Sequence, residues 1–379
     1  MNILAIETSC DETAAAIVHE GRWVRSSSVA SQIALHEKYG GVVPELAARR
    51  HVTAIVPVMR EALETAGLAR DDLDAIAVTE GPGLAGALLV GVNVAKTLAM
   101  AWSKPLIPVN HLEGHVYANW LLAAGAEERP APPFPAVCLI VSGGHTELLL
   151  IHRHGVYEVL GRTLDDAAGE AFDKGARILG LGYPGGPAID RAAEGARPLE
   201  QLPRAWLGDS YDFSFSGVKT ALLRACEQYR KLSPPPARGS GGRKRKPTAT
   251  AGEPFAEHHP PEYTANMPTA ELAAAYQDAI IDVLVEKTAR AAREQHARSV
   301  LISGGVAANR LLRRRLAARI DAPLYIPEPE FCTDNAAMIA AAAYQVLRRG
   351  VSAGPELDVR AQFPWSELPG ARVTERAGG

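Results

Sequence analysis

The sequence holds only four cysteines among 379 residues, Cys10, Cys138, Cys226 and Cys332, far apart and without a CxxC pair. Their scarcity argues against a disulfide framework or a structural zinc ribbon and fits a reducing compartment. No charge of one sign predominates. Lys+Arg at 40 and Asp+Glu at 43 leave a formal net charge of −3, which argues against a surface coated in positive charge while leaving room for a local basic patch. No clean apolar run reaches the ~20 residues of a membrane span; the longest, 85–102, is broken by Asn93 and Lys96. The chain enters its first apolar run directly, as Asn2-Ile3-Leu4-Ala5-Ile6, with neither a basic leader nor a cleavage signature. These absences together predict a soluble, cytoplasmic protein with no membrane partner.

Hydrophobic residues make up 47% and charged residues 22%, the balance of an ordinary globular protein. At ~100–200 residues per domain, the length implies two domains or one two-lobed unit. Residues 3–18 read as two short apolar runs around the polar turn Glu7-Thr8-Ser9-Cys10-Asp11-Glu12-Thr13. The same design recurs at 136–151 around Ser142-Gly143-Gly144-His145-Thr146. Each is a strand, a small polar loop and a second strand. Helical periodicity follows in 45–66, 86–102, 170–179 and 272–296. The alternation predicts α/β layers on mixed sheets, and the recurrence predicts an internal duplication with a cleft between the halves.

One stretch departs from this pattern. Between 232 and 268 the chain runs through Pro234-Pro235-Pro236, Gly239-Ser240-Gly241-Gly242 and Arg243-Lys244-Arg245-Lys246 with few large apolar side chains. That is too few to offset the entropy of ordering, and a mobile insertion is expected. The tail after Gly350 reads as irregular, with Phe363, Pro364 and Trp365 able to dock on a lobe.

Chemistry concentrates at three kinds of place. His111-Leu112-Glu113-Gly114-His115 follows an apolar run and opens a helix expected to run through Leu122. At i and i+4 two imidazoles share one face, ~5–6 Å apart at Cβ, and such a pair either chelates a metal or serves as surface or capping histidines. The acid stands at the third position, neither HExxH nor HxxEH, so a metalloprotease base is not supported. Glycine turns come second: Ser142-Gly143-Gly144, Ser303-Gly304-Gly305 and Tyr183-Pro184-Gly185-Gly186-Pro187. Their free N–H groups suit an anion; a helix over 306–320 is expected to follow the Ser303 turn with its N-terminus facing the same place, and Asn309 could reach a nucleoside, although glycine after a strand is also just a turn. No GxxxxGK[ST] is present, which excludes a P-loop.

Acids come third. Asp11 and Glu12 lie in the first turn, Asp165, Asp166, Glu170 and Asp173 before and within a helix, and Asp334 at the start of the last long helix. An acid there is an expected N-cap; it becomes a ligand only if the fold brings it to the histidines. Arg49, Arg50 and the group Arg310, Arg313, Arg314 and Arg315 offer phosphate contacts or solvated helix faces.

Taken in order, Ile6-Glu7-Thr8-Ser9-Cys10-Asp11-Glu12-Thr13, Tyr39-Gly40-Gly41-Val42-Val43-Pro44-Glu45-Leu46-Ala47, the motifs at 111–115, 141–146 and 165–174, Asp212-Phe213-Ser214-Phe215-Ser216-Gly217-Val218-Lys219-Thr220, and the runs at 303–310 and 331–335 closely resemble one family. It is the universal tRNA N6-adenosine threonylcarbamoyltransferase family, once described as glycoproteases. The resemblance covers nearly the whole chain apart from the insertion and the tail. It implies an actin-like, sugar-kinase-like (ASKHA) α/β fold, two duplicated lobes around a nucleotide cleft. Lobe I would take 1–110, with a helix at 333–350 packing back on it; lobe II would take 111–332, and the tail 351–379. The implied reaction moves the threonylcarbamoyl group from threonylcarbamoyl-AMP to N6 of the adenosine just 3′ of the anticodon, in tRNAs reading codons that begin with A, and releases AMP.

The same resemblance maps one divalent metal ion, Fe(II) ahead of Zn(II), onto His111, His115 and Asp334. It maps the donor onto Ile140, Val141, Ser142, Gly143, Gly144, Asp173, Gly186, Asp190 and Asn309. Asp11, at the cleft mouth, is expected to orient N6 or accept its proton, with Glu12 in support. Ile140 stands where archaeal and eukaryotic relatives carry a tyrosine, so the bacterial type is implied. With it come two partners, an inactive paralogue of the same fold and a small P-loop ATPase. The tail, Val359-Arg360-Ala361-Gln362-Phe363-Pro364-Trp365, departs from the Arg-Pro-Arg-Trp-Pro pattern frequent in relatives. A kinase of the same fold would leave the histidine pair without a task, and a non-catalytic scaffold would be expected to lose it.

Overall fold

Two sheets, each laid down by the same path, organise the chain. The computed structural model describes residues 1–199, 201–231, 255 and 260–375; of the expected insertion, 232–254 and 256–259 lie outside the described residues. The first sheet contains β1 (Asn2–Glu7), β2 (Glu12–His19), β3 (Trp23–Ser31), β4 (Ala75–Gly81) and β5 (Leu106–Asn110), in the order β3-β2-β1-β4-β5. The second contains β6 (Ala136–Val141), β7 (Thr146–Arg153), β8 (Val156–Arg162), β9 (Ser299–Ser303) and β10 (Leu324–Tyr325), and closes with β11 (Arg372–Glu375) beside β8. Its order, β8-β7-β6-β9-β10, repeats the first. In both, three antiparallel strands form a meander and the fourth and fifth add in parallel on the other side of the first. Strands β4, β5, β6 and β9 are buried along their whole length, as expected where helices cover both faces of a sheet.

The helices divide into three layers. On the outer side of the first sheet lie α1 (Ile33–Glu37), α2 (Pro44–Ala66) and α3 (Ala85–Trp102), with Ile55, Val58, Val92 and Ala95 meeting Ile6 and Val78. Between the sheets lie α4 (His111–Tyr117) and, from near the chain's end, α11 (Ala336–Arg348). Outside the second sheet pack α5 (Ala168–Leu179), α6 (Gly185–Ala192), α7 (Ser216–Glu227), α8 (Thr269–Glu294) and α9 (Arg310–Arg319), with the short α10 (Pro329–Cys332) before α11. The alanines of α11, from Ala336 to Ala343, are buried; alanine is the strongest helix former and its small side chain lets a helix fit between two sheets. A Cβ at Gly114 of α4 would stand 2.7 Å from Ile339 Cδ1, so glycine in the histidine motif permits close approach of α4 to α11.

By length and composition α3 could cross a membrane. Here it packs on α2 and β4, burying Ala87, Leu88, Val92, Ala95 and Ala99, and its Lys96 Nζ donates to Leu357 O at 2.9 Å.

Three local expectations are corrected. The helix opened by His111 ends at Tyr117 and continues as a 3₁₀ turn over Ala118–Trp120. After the turn that begins at Ser303 a 3₁₀ turn, Gly305–Ala308, precedes α9, which starts only at Arg310 because Asn309 caps it. The tail is more regular than its composition suggests: Phe363, Trp365 and Leu368 are buried in the layer between the sheets, and β11 pairs in parallel with β8. A four-residue strand is too short to register as a pattern, and what organises it is the open edge of β8.

Candidate metal centre and cleft

The ends of β1, β4 and β5 meet the start of α4. Asn110 caps that helix, its Oδ1 accepting from Leu112 N at 2.8 Å, and so fixes the direction in which His111 and His115 project. Their rings stand 4.7 Å apart, inclined at 78°. His111 Nε2 is 3.4 Å and His115 Nε2 3.3 Å from Asp334 Oδ1. All three donor groups lie within 4.8 Å of one another. Asp334 is not the helix N-cap. That role belongs to Asn335, whose Oδ1 accepts from Met338 N at 2.9 Å, which leaves the Asp334 carboxylate for the histidines.

The donor set fits a small cation. Ligands ~2.0–2.1 Å from a shared tetrahedral centre are separated by roughly 3.3 Å, the spacing found at Asp334 Oδ1. His111 Nδ1 lies 3.0 Å from Glu7 Oε2; if it donates there, the Nε2 lone pair faces a carboxylate oxygen. Both ring nitrogens of His115 are buried without a hydrogen-bond partner, a costly state unless something else satisfies them. Burial opposes charge on His111, yet Asp334 and Glu7 raise its pKa to about 10. Burial likewise opposes charge on Asp334, and the histidines nonetheless hold its carboxyl well below the usual range. His115 goes the other way: burial, with the His111 charge, lowers its pKa despite Asp334.

Glu7 is the support behind His111. Its Oε2 also accepts from Thr79 Oγ1 at 2.7 Å and its Oε1 from Ser9 N, while Ser9 Oγ lies 3.2 Å from His111 Nδ1. A carboxylate behind a ligating imidazole orients the ring and raises its basicity. Glu113 points elsewhere. It is buried in a two-pronged ion pair with Arg349, at 2.7 and 3.0 Å, and accepts from Tyr157 OH at 2.7 Å. This removes it as a hydrolytic base and ties α4 to the C-terminal end of α11 and to β8.

Continuing from Glu7 and Ser9, the β1–β2 turn presents Asp11 and Glu12. Burial and then the Asp11 charge push the Glu12 carboxyl up to about 9, so at neutral pH Glu12 holds a proton and is hydrogen-bonded to Asp11. Facing them, Asp173 is raised to about 6 by burial, although Gly185 N donates to its Oδ1 at 2.7 Å. Tyr183 is raised by burial and by Asp11 and Asp173.

Of the expected donor residues, the Ser142-Gly143-Gly144 turn opens outward, with nothing within 4 Å of a Cβ built on Gly143, Gly144 or Gly186. Ile140 and Val141 are buried strand residues. Asn309 is occupied at both ends, its Nδ2 donating to Gln277 Oε1 at 2.9 Å and its Oδ1 accepting from Leu312 N. Asp190 is held by Arg310 at 2.7 Å.

Residues 24–341 match the sequence model of TsaD, tRNA N6-adenosine threonylcarbamoyltransferase. A protein of that name from Thermomicrobium roseum is 64% identical over 365 residues, 96% of this chain and 97% of its own length. Another, from Bacillus subtilis, is 47% identical over 379 residues, 99% of this chain and 96% of its own. The chain belongs to the tRNA N6-adenosine threonylcarbamoyltransferase family. It is a transferase that acts on tRNA. Among solved structures, full-length HypF in a phosphate- and nucleotide-bound form matches with TM-score 0.54 at 13% identity, over 93% of this chain and 47% of HypF. The likeness is one of fold alone, and the fold is the two-lobed, actin-like and sugar-kinase-like α/β architecture.

In this transferase most arginines of α9 are engaged within the chain, while Arg314 is exposed. Arg310 binds Asp190 and Glu194, Arg315 binds Asp278 and Asp282, and Arg319 binds Glu286. Asp165 caps α7 by accepting from Phe215 N and Ser216 N, and Asp166 binds Lys174 and Lys219. Glu7, Ser9 and Thr79 were not legible as site residues. The one signal was a glutamate closing an otherwise apolar strand, where burial demands a partner.

Proposed function

We propose that this transferase moves the threonylcarbamoyl group from threonylcarbamoyl-AMP to N6 of the adenosine 3′-adjacent to the anticodon in tRNAs reading ANN codons, with one divalent ion, Fe(II) ahead of Zn(II), held by His111, His115 and Asp334. The observation that carries the reading is the convergence of two buried imidazoles and a carboxylate on one point at the cleft. In the reaction the bond from N6 to the carbamoyl carbon forms, the bond from that carbon to the phosphate oxygen breaks, N6 gives up a proton and AMP leaves. An ion bound there supplies a Lewis acid for a phosphate or carbonyl oxygen.

The chain's own groups do the rest. Asp11 receives the N6 proton or orients the amine, and protonated Glu12 hydrogen-bonds the Asp11 carboxylate beside it. The open N–H groups of Gly143 and Gly144 meet the donor's negative oxygens, and Ile140, Val141, Ser142, Asp173, Gly186, Asp190 and Asn309 line the donor's side, Asp190 and Asn309 exchanging their present partners for it. Lobe I would comprise 1–110 with 333–350, and lobe II 111–332. The inactive paralogue would dock on α2 and α3, where Val52, Val56, Leu89 and Met100 are exposed, and the P-loop ATPase would join that assembly in the cytoplasm.

The test is nucleoside mass spectrometry on tRNA from cells depleted of their own enzyme and complemented with this chain and its partners. Threonylcarbamoyladenosine should return with the wild-type chain and stay absent with the His111→Ala, His115→Ala version. Failure of a soluble wild-type chain beside its partners would overturn the reading.

A further inference from the structure

The turn that carries Asp11 and Glu12 is gripped from behind by a histidine on another element. His51 sits in the second turn of α2, on the face that buries Ala47, Ala54 and Ile55, and is wholly buried itself. Its Nε2 is 3.0 Å from Cys10 O, and its Nδ1 is 2.8 Å from Thr13 Oγ1. A carbonyl oxygen only accepts, so Nε2 carries the hydrogen; the neutral ring then accepts at Nδ1 from the Thr13 hydroxyl. One imidazole thus joins the two ends of the four residues that hold both acids. The segment is held in between as well: Gln32 N donates to Asp11 O at 3.1 Å, and Ser31 Oγ donates to Glu12 Oε1 at 3.0 Å. None of these ties uses the Asp11 carboxylate.

We infer that His51 is a positioning residue, a clasp from α2 that fixes the 10–13 turn so that Asp11 meets the incoming adenine amine. The inference rests on the reading of Asp11 as the group that orients N6 or takes its proton. Burial lowers the pKa of His51, which keeps the ring in the neutral form the two bonds require. The turn itself contains no proline and spans the gap between two strands, so its shape depends on what holds it. Misplacement of a reacting group by about 1 Å costs roughly 10²-fold in rate.

The experiment compares His51→Phe, His51→Gln and Thr13→Val with Asp11→Asn, each in the complete assembly with tRNA and threonylcarbamoyl-AMP, reading kcat, both KM values and bound metal. His51→Phe and Thr13→Val should lower kcat about 10- to 100-fold, with KM values and metal content within about twofold of wild type on the same argument. His51→Gln, which returns a donor to Cys10 O, should recover much of the loss. Thr13→Val changes only a hydroxyl for a methyl and keeps the test open if His51→Phe does not fold. Wild-type kcat in Thr13→Val and in folded His51→Phe overturns the clasp, as does a loss shared equally by kcat, KM and metal content without recovery in His51→Gln. Full activity in Asp11→Asn overturns instead the catalytic reading on which the clasp depends, whatever the His51 variants do.

Discussion

The β1–β2 and β6–β7 turns occupy the same place in the two copies of one sheet and have been put to different uses. Residues 8–13 lie between the last paired positions of the first hairpin, Glu7 and Ala14. Only 142–145 lie between those of the second, Val141 and Thr146. The longer turn is acidic and is tied down by His51, Gln32 and Ser31. The shorter closes on itself, Ser142 N donating to His145 O at 2.8 Å and His145 N to Ser142 Oγ at 3.2 Å. It leaves Gly143 and Gly144 facing open space. A duplicated scaffold thus carries carboxyl groups on one turn and open glycine backbone on the other. What separates the copies is loop length and side chains, while the strand order is the same.

The comparison is broken most severely at Asp11. Asp11→Asn keeps the size of the side chain and removes its charge, and should lower kcat by about 10²–10⁴-fold, the range for loss of a general base. Metal content and tRNA affinity should change little; single-turnover kinetics with saturating donor would show it. Substituting Gly143 by alanine, where a Cβ has room, should cost far less. Equal losses at the two turns would remove the division of labour.

Next in size is the tie that holds the sheets and α4 together. Glu113 and Arg349 are both well buried, 1% and 12% exposed as side chains. Arg349→Met leaves a carboxylate buried with only Tyr157 as donor and should destabilise the chain by about 3–5 kcal/mol. The double variant Glu113→Gln, Arg349→Met removes both charges and should recover most of that, as urea unfolding would reveal. Additive losses would mean that the pair does not act as a unit.

How much of this was legible beforehand follows from which interactions are local. The two hairpins and the helices α2, α3, α5 and α8 show their periods within their own sequence, and α2 was displaced by a single residue at its start. The histidine pair is likewise local, being one helical turn. Asp334 is not: it lies more than two hundred positions away, and no period or spacing says that α11 returns between the sheets. Only the family resemblance placed it with the histidines. Glu7 and His51 escaped notice for the same reason, since their partners are Thr79, His111, Cys10 and Thr13 on other elements. Asp334 as a helix cap was a fair local inference that Asn335, one position on, satisfies better.

A smaller effect tests the support beneath the second turn. Gly304 holds φ +90°, and a Cβ there would stand 2.3 Å from Val141 O. Gly304→Ala should cost about 1–3 kcal/mol, read as a lowered melting temperature, and should weaken donor binding more than it weakens metal binding. An unchanged melting temperature would mean the backbone there relaxes freely.

The finest distinction is in pH. Glu12 in the first turn is raised to about 9 by burial and by Asp11, so the folded chain keeps a proton that the unfolded chain loses above about 4.3. Its contribution to stability is complete below the unfolded value and declines as pH rises towards 9. His145 in the second turn is lowered to about 4 by burial and then by the charges of His111 and His115. Against an unfolded value of about 6.5, its contribution is complete above that value and is lost as pH falls towards 4. The two slopes therefore have opposite signs and overlap below about pH 6.5, and above it only the Glu12 slope remains. Glu12→Gln should flatten the fall in melting temperature throughout pH 5–9, by on the order of a few degrees between pH 7 and 9, where His145 no longer contributes. His145→Gln should flatten the acid side and leave the alkaline side parallel to wild type. Melting curves for both variants across pH 5–9 decide the matter: if the two profiles shift together, the turns share one electrostatic environment, and the division between them lies in loop shape alone.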